Sequence, residues 1–279
     1  MTAPPIVLAI HDLSGYGRCS LSVALPALSA QGVQCVALPT AYLSAHTGFK
    51  SFTFTDMTAQ LSPAAQHYRE LGLRFGAVYS GFLGSEAQID VVSRIFAAFK
   101  TDDTLIVVDP VMGDDGRTYK TYTPSMCRRM RELTRRADLI TPNITEAAIL
   151  LDEDYSAAPK RYEDFQPWLE KLSNGGRTSV LITGVRPAQC RVGQVYYDRN
   201  TGNFGCCQRP FAGRSFNGTG DLYASVVVGA MTLGAPLAAA ADKAAGFVFD
   251  CCKLSYDNDT DPSEGVRFEP LLWKLGNRE

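Results

Sequence analysis

Short, apolar, β-prone runs alternate with segments of helical period along most of the chain, and this alternation limits the fold more than any other feature. The runs are IVLAI (6 to 10), CVALPT (35 to 40), AVYSG (77 to 81), LIVVDP (105 to 110), LITP (139 to 142) and SVLITG (179 to 184). Between them lie helical patterns such as SLSVALPALSAQG, EAQIDVVSRIFAAFK and PSMCRRMRELTRRA. Near-continuous apolar strands separated by helices predict an α/β fold whose mainly parallel sheet is covered on both faces. After residue 184 the pattern changes: VGQVYYD and FGCCQRP flank RNTG, which predicts a hairpin at a sheet edge. Two closing helices are expected at roughly 218 to 233 and 236 to 254. With no linker or repeat, residues 1 to 279 are expected to form one domain, with 40 to 60 as a flap.

The composition narrows the class. The chain is 46% hydrophobic, carries a formal net charge of -2, and has only one dense basic cluster, the arginines between 128 and 136 on one expected helix. Nucleic acid is not the expected partner. The N-terminus, MTAPPIVLAIHD, has no leader pattern and no stretch is long and apolar enough to span a bilayer, so a cytoplasmic protein is expected. Eight cysteines without C-x-x-C spacing are expected to be reduced and mostly buried.

Ligands of parallel sheets bind beyond the C-terminal strand ends, where this chain places several polar residues. In SFNGTGDLYASVVVGAM (215 to 231), glycines let backbone amides crowd together at the start of a helix, making a cradle for an anion. Asp221 follows at once, either as a general base or as a favourable first-turn acid. In VVDPVMGDDG (107 to 116), Asp109 ends a strand and Asp114 lies in a polar loop, both suited to Mg²⁺ or to turn capping. In ADLITPNITEAAILL (137 to 151), Glu146 falls in a helical first turn, as a metal acid or the N3 member of a capping arrangement.

NGTGDL, DPVMGD and TPNITE, in this order and at these separations, resemble the vitamin-kinase branch of the ribokinase-like superfamily, most closely its pyridoxal kinases. SAHTGF (44 to 49), YSGFLGS (79 to 85) and GVRFEPLL (265 to 272) extend the resemblance over nearly the whole chain. It implies ATP-dependent phosphorylation of the 5′-hydroxymethyl group of pyridoxal, pyridoxine or pyridoxamine. Carried over residue by residue, it implies Asp221 as base and the amides of Gly218, Thr219 and Gly220 as anion hole. It further implies Asp109, Asp114 and Glu146 around Mg²⁺, and Asn143, Glu146 and Thr183 on the ATP side. His46, Thr47 and Phe82, with Asp221, fall on the vitamin side; His11 and Ser14, with Asp12 as an alternative, lie where the family's ring-binding serine falls. A homodimer and a monovalent cation such as K⁺ are further expectations of the family.

Departures and rivals remain. Ser215, Phe216 and Asn217 stand where sugar kinases carry an Asp-Thr pair, and AIHDLSGYG differs from the usual first loop. Gly15-x-Gly17-x-x-Ser20 approaches a dinucleotide fingerprint, but LPTAY ends the second strand without the acid that fingerprint needs. Hydroxymethylpyrimidine kinase shares fold and chemistry, and its members frequently carry cysteine at the position of Asp221. A catalytically silent vitamin carrier is disfavoured by the intact set of acids and glycines.

Overall fold

In the computed structural model, which describes residues 3–188 and 190–276, the alternating runs assemble into one nine-stranded sheet. In chain order the elements are β1 (Ile6–Ser14), α1 (Leu21–Ala30), β2 (Gln34–Leu43), β3 (Phe54–Asp56), α2 (Thr58–Glu70), β4 (Ala77–Ser80), α3 (Glu86–Phe99) and β5 (Leu105–Val108). There follow β6 (Gly113–Asp114), β7 (Arg117–Thr118), α4 (Pro124–Thr134), β8 (Leu139–Ile140), α5 (Ile144–Leu151), α6 (Gln166–Leu172) and β9 (Ser179–Ala188). The chain closes with β10 (Arg191–Asp198), β11 (Asn203–Pro210), α7 (Thr219–Thr232) and α8 (Leu237–Asp257).

The sheet order is β11-β10-β9-β8-β5-β4-β1-β2-β3. Strands β2, β1, β4, β5, β8 and β9 run parallel; β3, β10 and β11 pair antiparallel at the two edges, and β10–β11 is the expected hairpin. Chain order reverses around β1, which lies between β2 and β4, and such a switch point opens a crevice beyond the strand ends.

Successive strand residues feed opposite faces, so both must be apolar. Leu8, Val78, Ile106 and Ile182 pack with α2 to α6, whereas Val7, Tyr79, Val107 and Leu181 pack with α1, α7 and α8. Each such side chain, taken fully out of water, contributes about 1.5–3 kcal/mol.

Differences from the sequence reading are local. Strand β1 continues four residues past Ile10 to Ser14, with a register shift against β2 between His11 and Leu13, which carries Asp12 and Ser14 to the crevice. The expected flap contains β3, paired with β2 from Ala41↔Asp56 to Leu43↔Phe54. The loop after β5 is pinned by the small β6–β7 hairpin. Helix α2 was not anticipated: it buries only Leu61 and Ala65, too sparse an apolar face for periodicity to register.

Candidate active site

The glycine turn is set by backbone geometry. Gly218 caps α7 in the left-handed region at φ 73°, a conformation that favours glycine, and its Cα packs against the carbonyl of Arg18. Buried Phe216 anchors the approach to the turn, and Thr219 Oγ1 donates to the Phe216 carbonyl at 3.2 Å. Gly220 is different: a β-carbon there would have no heavy atom within 4 Å. Thr219 and Gly220 face a cavity of about 590 Å³, also lined by Asn143 and Thr183.

Asp221, one residue on, is half-buried, and its Oδ2 accepts the Ser20 N–H at 2.9 Å. Burial pushes its carboxyl up to about 6, against the lowering effect of the Ser20 bond, and the Asp12 charge raises it further. The positive end of α7 favours the ionised form. Desolvation outweighs that effect, but a carboxyl at about 6 is still mostly ionised near neutral pH.

The other acids form a chain of neighbours that starts at Asp221 and runs through Asp109 and Glu146 to Asp114. Asp109, just past β5, is pushed up by burial and then by the Asp221 charge; Glu146 is pushed up by burial and then by the Asp109 charge. Exposed Asp114 is raised by desolvation. Glu146 also realises the capping arrangement: Oε1 accepts the Met112 N–H at 3.1 Å and Oε2 the Asn143 N–H at 2.8 Å, while Asn143 Oδ1 accepts the Glu146 N–H at 2.9 Å. Asn143 Nδ2 donates to the Gly113 carbonyl at 2.8 Å, tying β6 to α5.

Among the described residues no three His, Cys, Asp or Glu stand close enough to hold a metal by themselves. The donor set nevertheless suits Mg²⁺, which takes one or two carboxylates and fills its remaining positions with water and phosphate oxygens. Carboxylates raised by desolvation, and then by one another's charge as Asp109 and Glu146 are, are the groups a cation relieves.

Among the residues expected on the vitamin side, Ser14 Oγ donates to Asp12 Oδ2 at 3.0 Å, both residues being buried at the end of β1. Thr47 is exposed, and half-buried Phe82 sets its ring edge-on to Tyr122, 6.1 Å between centroids. The two histidines are packed and held by the chain itself. His11 is wholly enclosed, with its ring edge-on to Tyr79 at 4.3 Å, and burial holds it neutral, pushed down to about 3. A β-carbon on Gly81 would lie 2.1 Å from His11 Nδ1, so the strand-end glycine lies against the imidazole.

His46 is held by both nitrogens: Nδ1 accepts the Gly48 N–H at 3.1 Å, leaving Nε2 to donate to the Ser263 carbonyl at 2.8 Å. Its ring clasps the 44–49 loop to the C-terminal segment. A β-carbon on Gly17 would sit 2.3 Å from His46 Cδ2, so the Gly15-x-Gly17 turn packs against the chain's own side chain.

Two features of the cavity were not anticipated. Arg186 lies over the Phe211 ring, 4.5 Å from its centroid, and donates to Ser215 Oγ at 2.8 Å. A cation near the C-terminal end of β9 was the only sequence signal for either.

Over residues 19–264 the sequence matches the family described as phosphomethylpyrimidine kinase. The chain belongs to that family. The matched span runs from Cys19, beside the Ser20 N–H, to Glu264, beyond the glycine turn. Within the phosphomethylpyrimidine kinase family, a Bacteroides thetaiotaomicron protein crystallised with pyridoxal is 37% identical, the match covering 98% of this chain and 96% of that one at a TM-score of 0.92. The pyridoxal kinase of Lactobacillus plantarum is 31% identical over 97% of this chain and 96% of its own, at a TM-score of 0.87. The pyridoxal kinase of Rubrobacter xylanophilus is 28% identical over 255 residues, 87% of this chain and 85% of its own. The fold is ribokinase-like, a mainly parallel sheet flanked by helices with an edge hairpin.

Proposed function

We propose that this protein transfers the γ-phosphoryl group of ATP to the 5′-hydroxymethyl group of pyridoxal, pyridoxine or pyridoxamine. One observation carries the reading: a half-buried carboxylate, Asp221, stands in the first turn of α7 directly after an amide-rich glycine turn that opens on a cavity. Asp221 accepts the proton of the vitamin hydroxyl as its oxygen forms a bond to the γ-phosphorus; the bond from that phosphorus to the bridging oxygen breaks, and ADP leaves. The amides of Gly218, Thr219 and Gly220 stabilise charge on the transferring group, helped by the positive end of α7. Asn143 and Thr183 orient the nucleotide phosphates from the cavity side.

Asp109, Asp114 and Glu146 would hold Mg²⁺, directly or through water, and when bound it neutralises phosphate charge. Glu146 already fixes two loops through Met112 and Asn143, so its part is to shape the acidic site as well as to charge it. His46, Thr47 and Phe82, with Asp221 and with Ser14 or His11 at the end of β1, are the side chains we carry forward on the vitamin side.

Hydroxymethylpyrimidine is the less favoured acceptor: Asp221 stands where kinases of that substrate frequently carry cysteine, and the Bacteroides relative was crystallised with pyridoxal. We read residues 1 to 279 as one kinase domain working as a homodimer in the cytoplasm, with K⁺ as its monovalent cation. Among the described residues no helix is long and apolar enough to cross a membrane. ATP consumption measured separately with each B6 vitamer and with hydroxymethylpyrimidine tests the proposal. Turnover with at least one vitamer, exceeding that with the pyrimidine, is expected; turnover with the pyrimidine alone would overturn it.

A further inference from the structure

Ser20 occupies an unusual position. It precedes α1, where a serine ordinarily turns its hydroxyl inward to accept a helix N–H, yet its side chain makes no capping bond. Its backbone stands at φ 51° and ψ −130°, in a region that non-glycine residues rarely visit. The hydroxyl is instead directed away from the helix, donating to Asp12 Oδ1 at 2.5 Å. Asp12 is buried and also receives the Ser14 hydroxyl on Oδ2, so each carboxylate oxygen carries one hydroxyl hydrogen. From the same residue, the Ser20 N–H reaches Asp221 Oδ2 at 2.9 Å. Ser20 thus joins two carboxylates through two different groups, the hydroxyl to Asp12 and the amide to Asp221.

We infer that Asp12 and Ser20 are positioning residues for the phosphoryl transfer proposed above: Asp12 anchors the Ser20 hydroxyl, the anchor holds the unfavourable backbone turn, and the turn aims the amide at Asp221. The consequence is chemical. With Oδ2 engaged by an N–H, the other oxygen, Oδ1, is the one left to take the vitamin hydroxyl proton. The base is oriented by a residue 201 positions away in sequence, itself oriented by the end of β1. Asp12 acts here through Ser20, without touching substrate.

The inference rests on the kinase reading, and the wild-type protein separates the two: vitamin-dependent ATP consumption by wild type tests the reading, and a double-mutant cycle on that activity tests the relay. The variants are Ser20→Ala, Asp12→Asn and the pair, each with a melting curve. Ser20→Ala and Asp12→Asn should each lower kcat by roughly 10-fold with the vitamin KM within about twofold, the pattern of a misaimed base. The double variant should be no slower than the slower single variant. Unchanged kcat in Ser20→Ala overturns the inference, as do multiplying effects in the double variant or a dominant rise in vitamin KM for Asp12→Asn, which would put Asp12 on the vitamin ring. If Asp12→Asn does not fold, Ser20→Ala decides alone, since it removes one hydroxyl and leaves the amide.

Discussion

A β-carbon on Gly218 would lie 1.8 Å from the carbonyl oxygen of Arg18, so the turn that forms the anion cradle is also where the loop after β1 closes on α7. Arg18 in turn bonds the C-terminal segment, its N–H donating to the Glu264 carbonyl at 3.0 Å. Three stretches far apart in sequence therefore meet at Arg18.

The two glycines of the cradle should separate under substitution. Gly218→Ala forces a left-handed alanine, a cost of about 1–2 kcal/mol before the clash with Arg18 is counted, and should lower the melting temperature and turnover together. Gly220→Ala meets no atom within 4 Å and should melt like wild type, but its methyl lies beside the cavity where the phosphates are proposed to sit, so the ATP KM should rise. Melting curves and ATP titrations of both variants check this.

Asp109 and Glu146 should also part. Glu146→Ala strips two backbone N–H groups of their acceptor, at about 1–3 kcal/mol each, and should destabilise the protein as well as slow it. The folded protein raises the Asp109 pKa, so its ionised form weakens the metal-free fold once pH exceeds the ordinary carboxylate value. Asp109→Asn removes that charge: it should melt no lower than wild type at pH 8, yet need roughly 10-fold more Mg²⁺ for half-maximal turnover. Melting curves and Mg²⁺ titrations report both.

Loop 113–122 should act as a cover. Gly116 N–H donates to Thr145 Oγ1 at 2.9 Å, and Tyr119 N–H to the Met112 carbonyl at 2.8 Å, so β6–β7 is docked above the acids by few bonds. Deleting residues 116 to 119 should raise ATP hydrolysis relative to vitamin phosphorylation by admitting water. The ratio of the two rates is the readout.

The sheet, its edge hairpin and the glycine turn were legible because each is written locally, as apolar runs or as glycines beside an acid. Glu146 was legible as two alternatives, metal acid and capping residue, and the structure shows the second in full while leaving the first available. His11 and His46 were not legible. Their environments are made by Gly81, Tyr79 and Ser263, residues that pattern alone does not bring beside them. Ser20 gave no warning at all, since a serine before a helix ordinarily signals a cap.

The acid limb of activity should report Asp221. Its carboxyl is raised to about 6, so kcat/KM for the vitamin, which reads the free enzyme, should fall as pH drops through about 6. The stability effect has the opposite sense. A raised folded value means the ionised form is disfavoured on folding, so this group's contribution weakens as pH rises from about 4 to about 6. A pH–rate profile beside melting temperatures across the same window checks both signs.

The most direct test of the account is steady-state kinetics of Asp221→Asn with ATP and pyridoxal, alongside calorimetric binding of each and a melting curve. The amide keeps the size of the side chain and an oxygen for the Ser20 N–H, but cannot take the hydroxyl proton. The account predicts a folded protein that binds both ligands and turns over slower by roughly 10²-fold or more, the scale of general-base catalysis. A folded, ligand-binding Asp221→Asn protein with near-normal turnover would contradict it.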